Sequence, residues 1–456
     1  MNEIALILAA GKGTRMNSDT IKVLHPVLGK SLLQWSIDSA RDAGLEPWIV
    51  VGHQEEKVRA ALNEQDVRFV RQSEARGTGH AVLCALADLP ATGTLLVFFG
   101  DTPLFRSETL RQLRRFHGDN FATFLTSKVE DAASYGRLIR DKQGRAQKIV
   151  ESAEATAEEL AVCEINTGAS VFDIAWLKSA LPQFQPHPPK NEIYLTDALE
   201  AAYQHGKASA MVLSDNREAD GVNDRWDLSM ASRVLQNRIL RKHAKNGVSF
   251  EDLDSVTVEA DVRIERDVWI GRGVILKGKT EIAEHSRVEA YCVLEDTVIS
   301  ERAHIREFSH CFQARVEQGA TVGPYGRLRE QSRIGPNAKI GNFVEVKKTT
   351  VGAGAKASHL TYLGDATVGA KANVGAGTIT CNYDGFSKNK TEIGQNAFIG
   401  SNSALVAPVR IGDGAIVGAG AVITKEVPAN AIAIARGEQR NIQQAAVRFR
   451  AARRKE

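Results

Sequence analysis

From Val258 to Ile423 one aliphatic residue recurs at a spacing of six. Val258, Ile264, Ile270, Leu276, Ile282, Val288 and Leu294 form one run. Val316, Val322, Leu328, Ile334, Ile340 and Val346 form a second, and Ile393, Ile399, Leu405, Ile411, Val417 and Ile423 a third. Neither the 3.6-residue period of a helix nor the two-residue period of a half-buried strand produces this spacing. It predicts a parallel β-helix from about Val258 to Ile434, built of three-sided coils that each bury an inner face by stacking on the next. Glycine often follows the aliphatic, as in Ile270-Gly271, Ile340-Gly341, Ile399-Gly400 and Ile411-Gly412. It suits a corner where φ is positive and the neighbouring coil is close. Cys311, six after Ile305, takes an inward position. The rhythm breaks twice, between Val351 and Val368 and between Ile379 and Ile393. The second break, Thr380 to Lys388, reads as a loop leaving the prism, and insertions in solenoids commonly carry the binding face.

The first half has a different pattern. Apolar runs at Ile4–Leu8, Trp48–Val51, Phe69–Val70 and Leu95–Phe99 alternate with helical patterns. This predicts an α/β domain with a Rossmann-like, mostly parallel sheet. Ligands of such sheets bind beyond the carboxyl ends of the strands. Two polar candidates stand there, the Gly11–Arg15 loop after the first run and Gly100-Asp101 after the last. A Gly-rich loop after a buried strand suits a phosphate cradle of backbone N–H groups. It is neither a P-loop nor a dinucleotide fingerprint, because the glycine spacing fits neither. Arg15 and Lys22 lie close enough in sequence to reach a triphosphate. Asp101 suits Mg²⁺, which takes a few oxygen ligands and leaves the rest to phosphates. It equally suits the cap of a Thr102-Pro103 turn.

Asp224 to Lys245 has a helical pattern with Leu228, Ala231, Leu235 and Ile239 on one stripe. Asn223 or Asp224 caps its start, basic residues from Arg238 to Lys245 suit its negative end, and Gly247 closes it. The chain therefore divides into residues 1–223, a linker helix over 224–247, and 248–456 with a short basic tail.

Bulk numbers exclude several classes. The 456 residues exceed one ordinary core, so two or three domains are expected. Lys+Arg 58 against Asp+Glu 55 leaves +3, which gives no argument for nucleic acid or an anionic membrane. Five scattered cysteines without CxxC read as reduced thiols of a cytoplasmic protein. No apolar run reaches the length of a membrane span. Met1 to Ala10 is too short, and lacks the basic start, for a signal peptide.

Several short motifs then follow in a set order. They are Leu8-Ala9-Ala10-Gly11-Lys12-Gly13-Thr14-Arg15-Met16 with Lys22, Gln72 with Gly77-Thr78-Gly79-His80-Ala81, and Gly100-Asp101-Thr102-Pro103-Leu104. Tyr135-Gly136-Arg137, Ile149-Val150-Glu151, Glu164-Ile165-Asn166-Thr167-Gly168 and Gly221-Val222-Asn223 complete the set. This half resembles the sugar-nucleotide pyrophosphorylases. The repeats resemble the left-handed parallel β-helix of hexapeptide acyltransferases. Gly354 to Asp365, with His359 and Tyr362, is similar to their acetyltransferase signature. Nearly the whole chain resembles the bacterial bifunctional N-acetylglucosamine-1-phosphate uridyltransferase/glucosamine-1-phosphate acetyltransferase family.

The resemblance implies two sites and a cell-wall precursor as product. In the first half, Leu8, Ala9, Ala10 and Gly11 hold UTP with Lys22. Gln72, Gly77 and Thr78 read uracil, and Gly100 lies beside the metal-binding turn. Gly136, Glu151 and Asn166 hold N-acetylglucosamine-1-phosphate, and Asp101 and Asn223 share Mg²⁺. Arg15 and Lys22 neutralise charge during in-line attack on the α-phosphate. In the second half, His359 is the general base toward the amine of glucosamine-1-phosphate. Arg329 and Lys347 hold the sugar phosphate, and Tyr362 and Asn373 the sugar. Ala376, Asn382, Tyr383, Ser401, Ala419 and Arg436 hold acetyl-CoA. A homotrimer is implied, with no nucleic acid partner. Glu330 follows Arg329 where the family pattern has proline. Glu345, two residues before Lys347, is a candidate to orient His359 or an ordinary surface carboxylate. A rival reading makes the first half a lone pyrophosphorylase and the β-helix a trimerisation scaffold.

Overall fold

The computed structural model describes residues 3–11, 13–62 and 67–453. It divides into two compact units, with the division between Gln236 and Asn237.

The first unit is built on nine strands. They are β1 (Glu3–Leu8), β2 (Glu46–Val51), β3 (Arg68–Arg71), β4 (Thr94–Phe99) and β5 (Ala122–Lys128), then β6 (Arg137–Arg140), β7 (Ala146–Val150), β8 (Glu164–Asp173) and β9 (Ala208–Val212). The main path runs β9-β5-β8-β4-β1-β2-β3, with the β6–β7 pair attached through β8. Along this path every pairing is parallel except those of β8, which runs antiparallel to β4 and β5.

The continuous apolar runs have a physical reason. Ile4, Leu6, Trp48, Val50, Leu95 and Val97 enter one buried cluster. Their alternates Ala5, Ile7, Ile49, Val51, Leu96 and Phe98 enter another. A strand buried on both faces cannot alternate apolar with polar. The carboxyl ends of β1, β2 and β4 are laced together beyond the strands. Gly100 N donates to Leu8 O at 3.0 Å, Ala9 N to Val50 O at 2.9 Å and Gln72 N to Val51 O at 2.8 Å.

A helix spans Arg225–Lys245. Asp224 Oδ1 caps it, accepting from the amides of Trp226 and Asp227 at 2.8 and 2.9 Å. Ala231 and Leu235 pack in the first unit with Met16, Leu32 and Val222. The division between units falls inside this helix.

The second unit is a left-handed β-helix of three parallel sheets, which we call the first, second and third faces in the order the chain visits them. They contain 11, 10 and 9 strands. Most partners in adjacent coils stand 17 or 18 residues apart, as in Ile270↔Val288 and Leu294↔Cys311, and the coil that carries the inserted loop widens the step to 25, as in Val374↔Ile399. The aliphatics of the six-residue rhythm are buried, and Cys311 points inward with them. The glycines after them are explained by closeness alone, because the corner residues of positive φ are others. A Cβ at Gly341 would lie 1.9 Å from Ser358 O of the next coil.

Three details differ from the sequence pattern. The gap between Val351 and Val368 is no break, because Ala357 and Leu363 fill the core there. At the later gap Thr380 is inside, 1% exposed, while Ile379 is 48% exposed. Five-residue steps occur at Leu294–Ile299, Cys311–Val316, Val346–Val351 and Leu363–Val368, all at the corner between the second and third faces. Each is closed by a residue in the left-handed region, Asp296, Gln313, Lys348 and Asp365 respectively. The inserted loop between Thr380 and Ile393 leaves from the same corner, with Phe386 at its tip 95% exposed.

Candidate functional sites

Beyond the carboxyl ends of β1 and β4 lies a cleft with two lobes. One, of about 320 Å³, is lined by Leu8, Ala9, Ala10, Gly11, Lys22, Gln72, Gly77, Thr78 and Asp101. The other, of about 490 Å³, is lined by Arg15, Gly136, Glu151, Asn166 and Asn223 among others. Gly77, Thr78, Phe99, Asp101 and Glu192 belong to both. Every first-half candidate except Gly100 thus faces one cleft. Gly100 is buried beneath it, with its amide on Leu8 O. Lys12 lies outside the described residues.

The polar groups are held by short local devices. Gln72 Nε2 donates to Gly77 O at 3.1 Å and faces His80 Nδ1 at 3.2 Å. Its amide oxygen is therefore the group left for a ligand. Asn166 Oδ1 accepts from Gly168 N at 3.1 Å, which leaves its NH₂ for a ligand. Glu151 is pushed above the usual carboxylate range by burial first; a hydrogen bond from Thr196 opposes the shift. Lys22 is ion-paired to Asp101, and Arg15 donates to Asn223 Oδ1 at 2.8 Å. Val222 N donates to Asp101 O at 2.9 Å, so the Asp101 turn and the Asn223 segment are joined. One carboxylate and one amide oxygen fit Mg²⁺, which completes its shell with phosphates and water. Among the described residues no cluster of three or more His, Cys, Asp or Glu stands ready for a metal.

The second-half candidates are spread over two corners and two faces of the prism. His359 stands at the corner between the first and second faces. Its Nδ1 lies 2.6 Å from Asn342 Oδ1, one coil earlier. An amide oxygen only accepts, so in the neutral imidazole Nδ1 carries the proton and Nε2 has the lone pair. The same corner carries Ala376, Ser401 and Ala419 on the following coils. Asn402 N donates to Ala376 O at 2.7 Å and Gly420 N to Ser401 O at 2.8 Å. Arg436 Nη1 donates to Ala419 O at 2.8 Å. Three coil steps from His359 to Ala419 span roughly 14 Å.

Arg329, Lys347 and Tyr362 share the second face. A Cβ at Gly364, the coil partner of Lys347, would touch the Tyr362 hydroxyl. Glu345 accepts from Arg329 at 3.0 Å and Arg327 at 3.5 Å, so Asn342, not Glu345, orients His359. Glu330 sits between the two cations, 3.6 Å from Arg329 and 3.4 Å from Lys347. Lys388, from the inserted loop, contacts Lys347, and that contact with its like charge lowers the pKa of Lys388. Two ammonium groups held together favour an anion between them. Asn373 faces out from the first face, around the corner. Asn382 and Tyr383 stand at the far corner, where Asn382 Nδ2 donates to Asp365 Oδ2 at 2.5 Å and the Tyr383 hydroxyl to Gly385 O at 2.6 Å.

Two family models match the chain. The MobA-like NTP transferase domain covers residues 5–217, and the bacterial transferase hexapeptide model, in six repeats, covers 390–425. Full-length relatives match as well. The bifunctional protein GlmU of Sorangium cellulosum is 43% identical over 98% of this chain and 96% of its own. That of Trichlorobacter lovleyi is 42% identical over 96% of each, and one from Clostridium botulinum 42% over 97% of each. The chain belongs to the GlmU family.

GlmU chains join a nucleotidyltransferase half to a hexapeptide half, and both halves are built here. Sequence reading missed Asn342, Lys388, Glu192 and Tyr194. Asn342 had a signal, since it stands one coil before His359. Lys388 had another, a basic residue inside an insertion.

Proposed function

We propose that this chain makes UDP-N-acetylglucosamine in two steps. The hexapeptide half moves the acetyl group of acetyl-CoA to glucosamine-1-phosphate. The nucleotidyltransferase half then joins the product to UTP and releases pyrophosphate. The observation that carries this reading is His359. Its Nδ1 is tied to Asn342 and its Nε2 is free, at the head of a corner that runs to Arg436. A scaffold has no use for such a base. Free thiol released from acetyl-CoA on adding glucosamine-1-phosphate tests it, and absence of thiol favours the scaffold reading.

In acetyl transfer, Nε2 of His359 takes a proton from the attacking amine while Arg329, Lys347 and Lys388 hold the phosphate. Ala376, Ser401, Ala419 and Arg436 form one edge for acetyl-CoA, and Asn382 and Tyr383 the other. These edges lie on opposite sides of the second face, and Asn373 lies around the corner. That division supports a homotrimer in which a neighbouring copy completes each site.

In uridylyl transfer, Gln72, Gly77 and Thr78 read uracil, the Leu8–Gly11 loop and Arg15 hold the triphosphate, and Gly136, Glu151 and Asn166 hold the sugar. Lys22 sits on Asp101 and, with the metal bound, is free to turn to the α-phosphate. Asp101 and Asn223 would hold Mg²⁺, which supplies charge neutralisation at the phosphates. Positioning and electrostatics suffice, with no covalent intermediate. We assign the boundaries 1–223, 224–247 and 248–456 to the two catalytic parts and their linker. A cytoplasmic location fits the five unpaired thiols. Among the described residues no helix is long and apolar enough to cross a membrane.

Glu330 competes with the substrate phosphate for Arg329 and Lys347. Glu330→Gln is therefore expected to lower KM for glucosamine-1-phosphate by about threefold with kcat unchanged, because uniform binding is gained. A raised KM in steady-state thiol-release kinetics would contradict that role.

A further inference from the structure

The segment from His187 to Thr196 touches both lobes of the first-half cleft. Its backbone closes on itself where His187 N donates to Glu192 O at 2.8 Å. It then docks on the loop assigned to uracil. Ile193 N donates to Arg76 O at 2.9 Å, Gly79 N to Ile193 O at 2.8 Å, and Leu195 N to Thr78 Oγ1 at 3.1 Å. The fit is close, because a Cβ at Gly77 would lie 2.5 Å from Ile193 O. At its far end Thr196 Oγ1 donates to the sugar-side carboxylate Glu151 at 3.4 Å. Glu192 and Tyr194 project from this segment into the sugar lobe.

One side chain ties the segment down. His187 Nε2 lies 2.9 Å from Asp197 Oδ2, and Nδ1 lies 3.4 Å from Glu154 Oε2. Its ring stacks on Tyr194, with centroids 4.4 Å apart and planes at 29°. The surrounding groups are acidic. Glu151, Glu154, Glu192 and Asp197 all act on the Tyr194 hydroxyl, and Glu200 lies beside Asp197. A neutral imidazole donates to only one of its two carboxylates, whereas an imidazolium donates to both. Burial works against that charge. The hydrogen bond to Asp197, its charge and that of Glu154 outweigh burial and hold the pKa of His187 above the ordinary histidine value.

We propose that His187 is a positioning residue for the sugar phosphate in uridylyl transfer. As an imidazolium bridging Asp197 and Glu154, it fixes the Tyr194 ring and the 187–196 segment against the sugar pocket. Its side-chain contacts are Asp197, Glu154 and Tyr194, not Arg15, Lys22, Asp101 or Asn223, so its loss weakens sugar binding and leaves the chemical step intact. This rests on the cleft being the uridylyl-transfer site, which turnover by the unaltered enzyme tests on its own.

The test varies N-acetylglucosamine-1-phosphate and UTP separately, reads pyrophosphate release, and uses the full chain with Mg²⁺. His187→Ala is expected to raise KM for the sugar phosphate about five- to tenfold, with kcat and KM for UTP within about twofold. His187→Lys keeps a cation between the carboxylates and is expected to restore KM to within about twofold. The pH dependence has a definite sign. The imidazolium is present below its raised pKa and lost above it, so KM of the unaltered enzyme rises as the pH climbs above the ordinary histidine value and through that pKa, where a lysine stays charged. The His187→Lys enzyme lacks that rise, and comparison of the two cancels titration of the substrate phosphate. The retained kcat of pyrophosphate release reports that the altered unit is folded. An unchanged KM in His187→Ala, or a His187→Lys enzyme no better than His187→Ala, overturns the proposal. An inactive unaltered enzyme overturns instead the assignment of the cleft.

Discussion

Asp101→Ala is expected to cut pyrophosphate release at least about a hundredfold, the loss typical when a preorganised electrostatic group is removed from a transition state. Asp101 stands at the end of β4, shared by both lobes of the cleft and ion-paired to Lys22. Without its carboxylate, the Mg²⁺ proposed to sit on Asp101 and Asn223 would lose its one charged protein ligand, and Lys22 loses its ion-pair partner. Its backbone carbonyl, which accepts from Val222, is untouched. The Asn223 segment therefore keeps its place and the fold is not at risk. The residues proposed for acetyl transfer lie in the other unit, so that activity is expected to continue at the unaltered rate. Assaying pyrophosphate and free thiol on one preparation checks both halves of this expectation. Equal loss of both activities in a folded variant would contradict it.

His359→Ala is expected to do the reverse. Removing a general base costs about 10²- to 10⁴-fold. His359 is exposed and outside the aliphatic core, so its loss leaves the coil packing intact. Pyrophosphate release from UTP and N-acetylglucosamine-1-phosphate should be unchanged. An acetyl-transfer rate within about threefold of the unaltered enzyme would remove His359 from the role.

The architecture was legible where one physical rule acted alone. One inward side chain per hexapeptide is a requirement of the prism, so Val258 to Leu294 announce it. The rule blurs where a left-handed residue shortens a corner, as Asp296 and Asp365 do, because the core position then arrives after five residues. It blurs again where Ala357 or Thr380 fills the core, since neither looks like an aliphatic beat. The cleft was legible because glycines and charges cluster at strand ends. Glu192 and Tyr194 were not, because their segment follows no period and is placed by backbone hydrogen bonds to Arg76 and Gly79. Asn342, the orienting partner of His359, was not legible for a similar reason, and Glu345 was open between that role and a surface carboxylate. Glu345 has the stronger chemistry, but its register sets it beside Arg327 and Arg329, while Asn342 falls directly opposite His359 one coil earlier.

The most direct test of two successive activities in one chain is a single mixture of glucosamine-1-phosphate, acetyl-CoA, UTP and Mg²⁺. Free thiol, pyrophosphate and UDP-sugar are followed together, with and without acetyl-CoA. The expected result is thiol first, then pyrophosphate and UDP-N-acetylglucosamine in equal amounts, with no pyrophosphate when acetyl-CoA is left out. Pyrophosphate released at the full rate from glucosamine-1-phosphate and UTP alone, with no thiol in the complete mixture, would contradict the account and leave the β-helix as a scaffold.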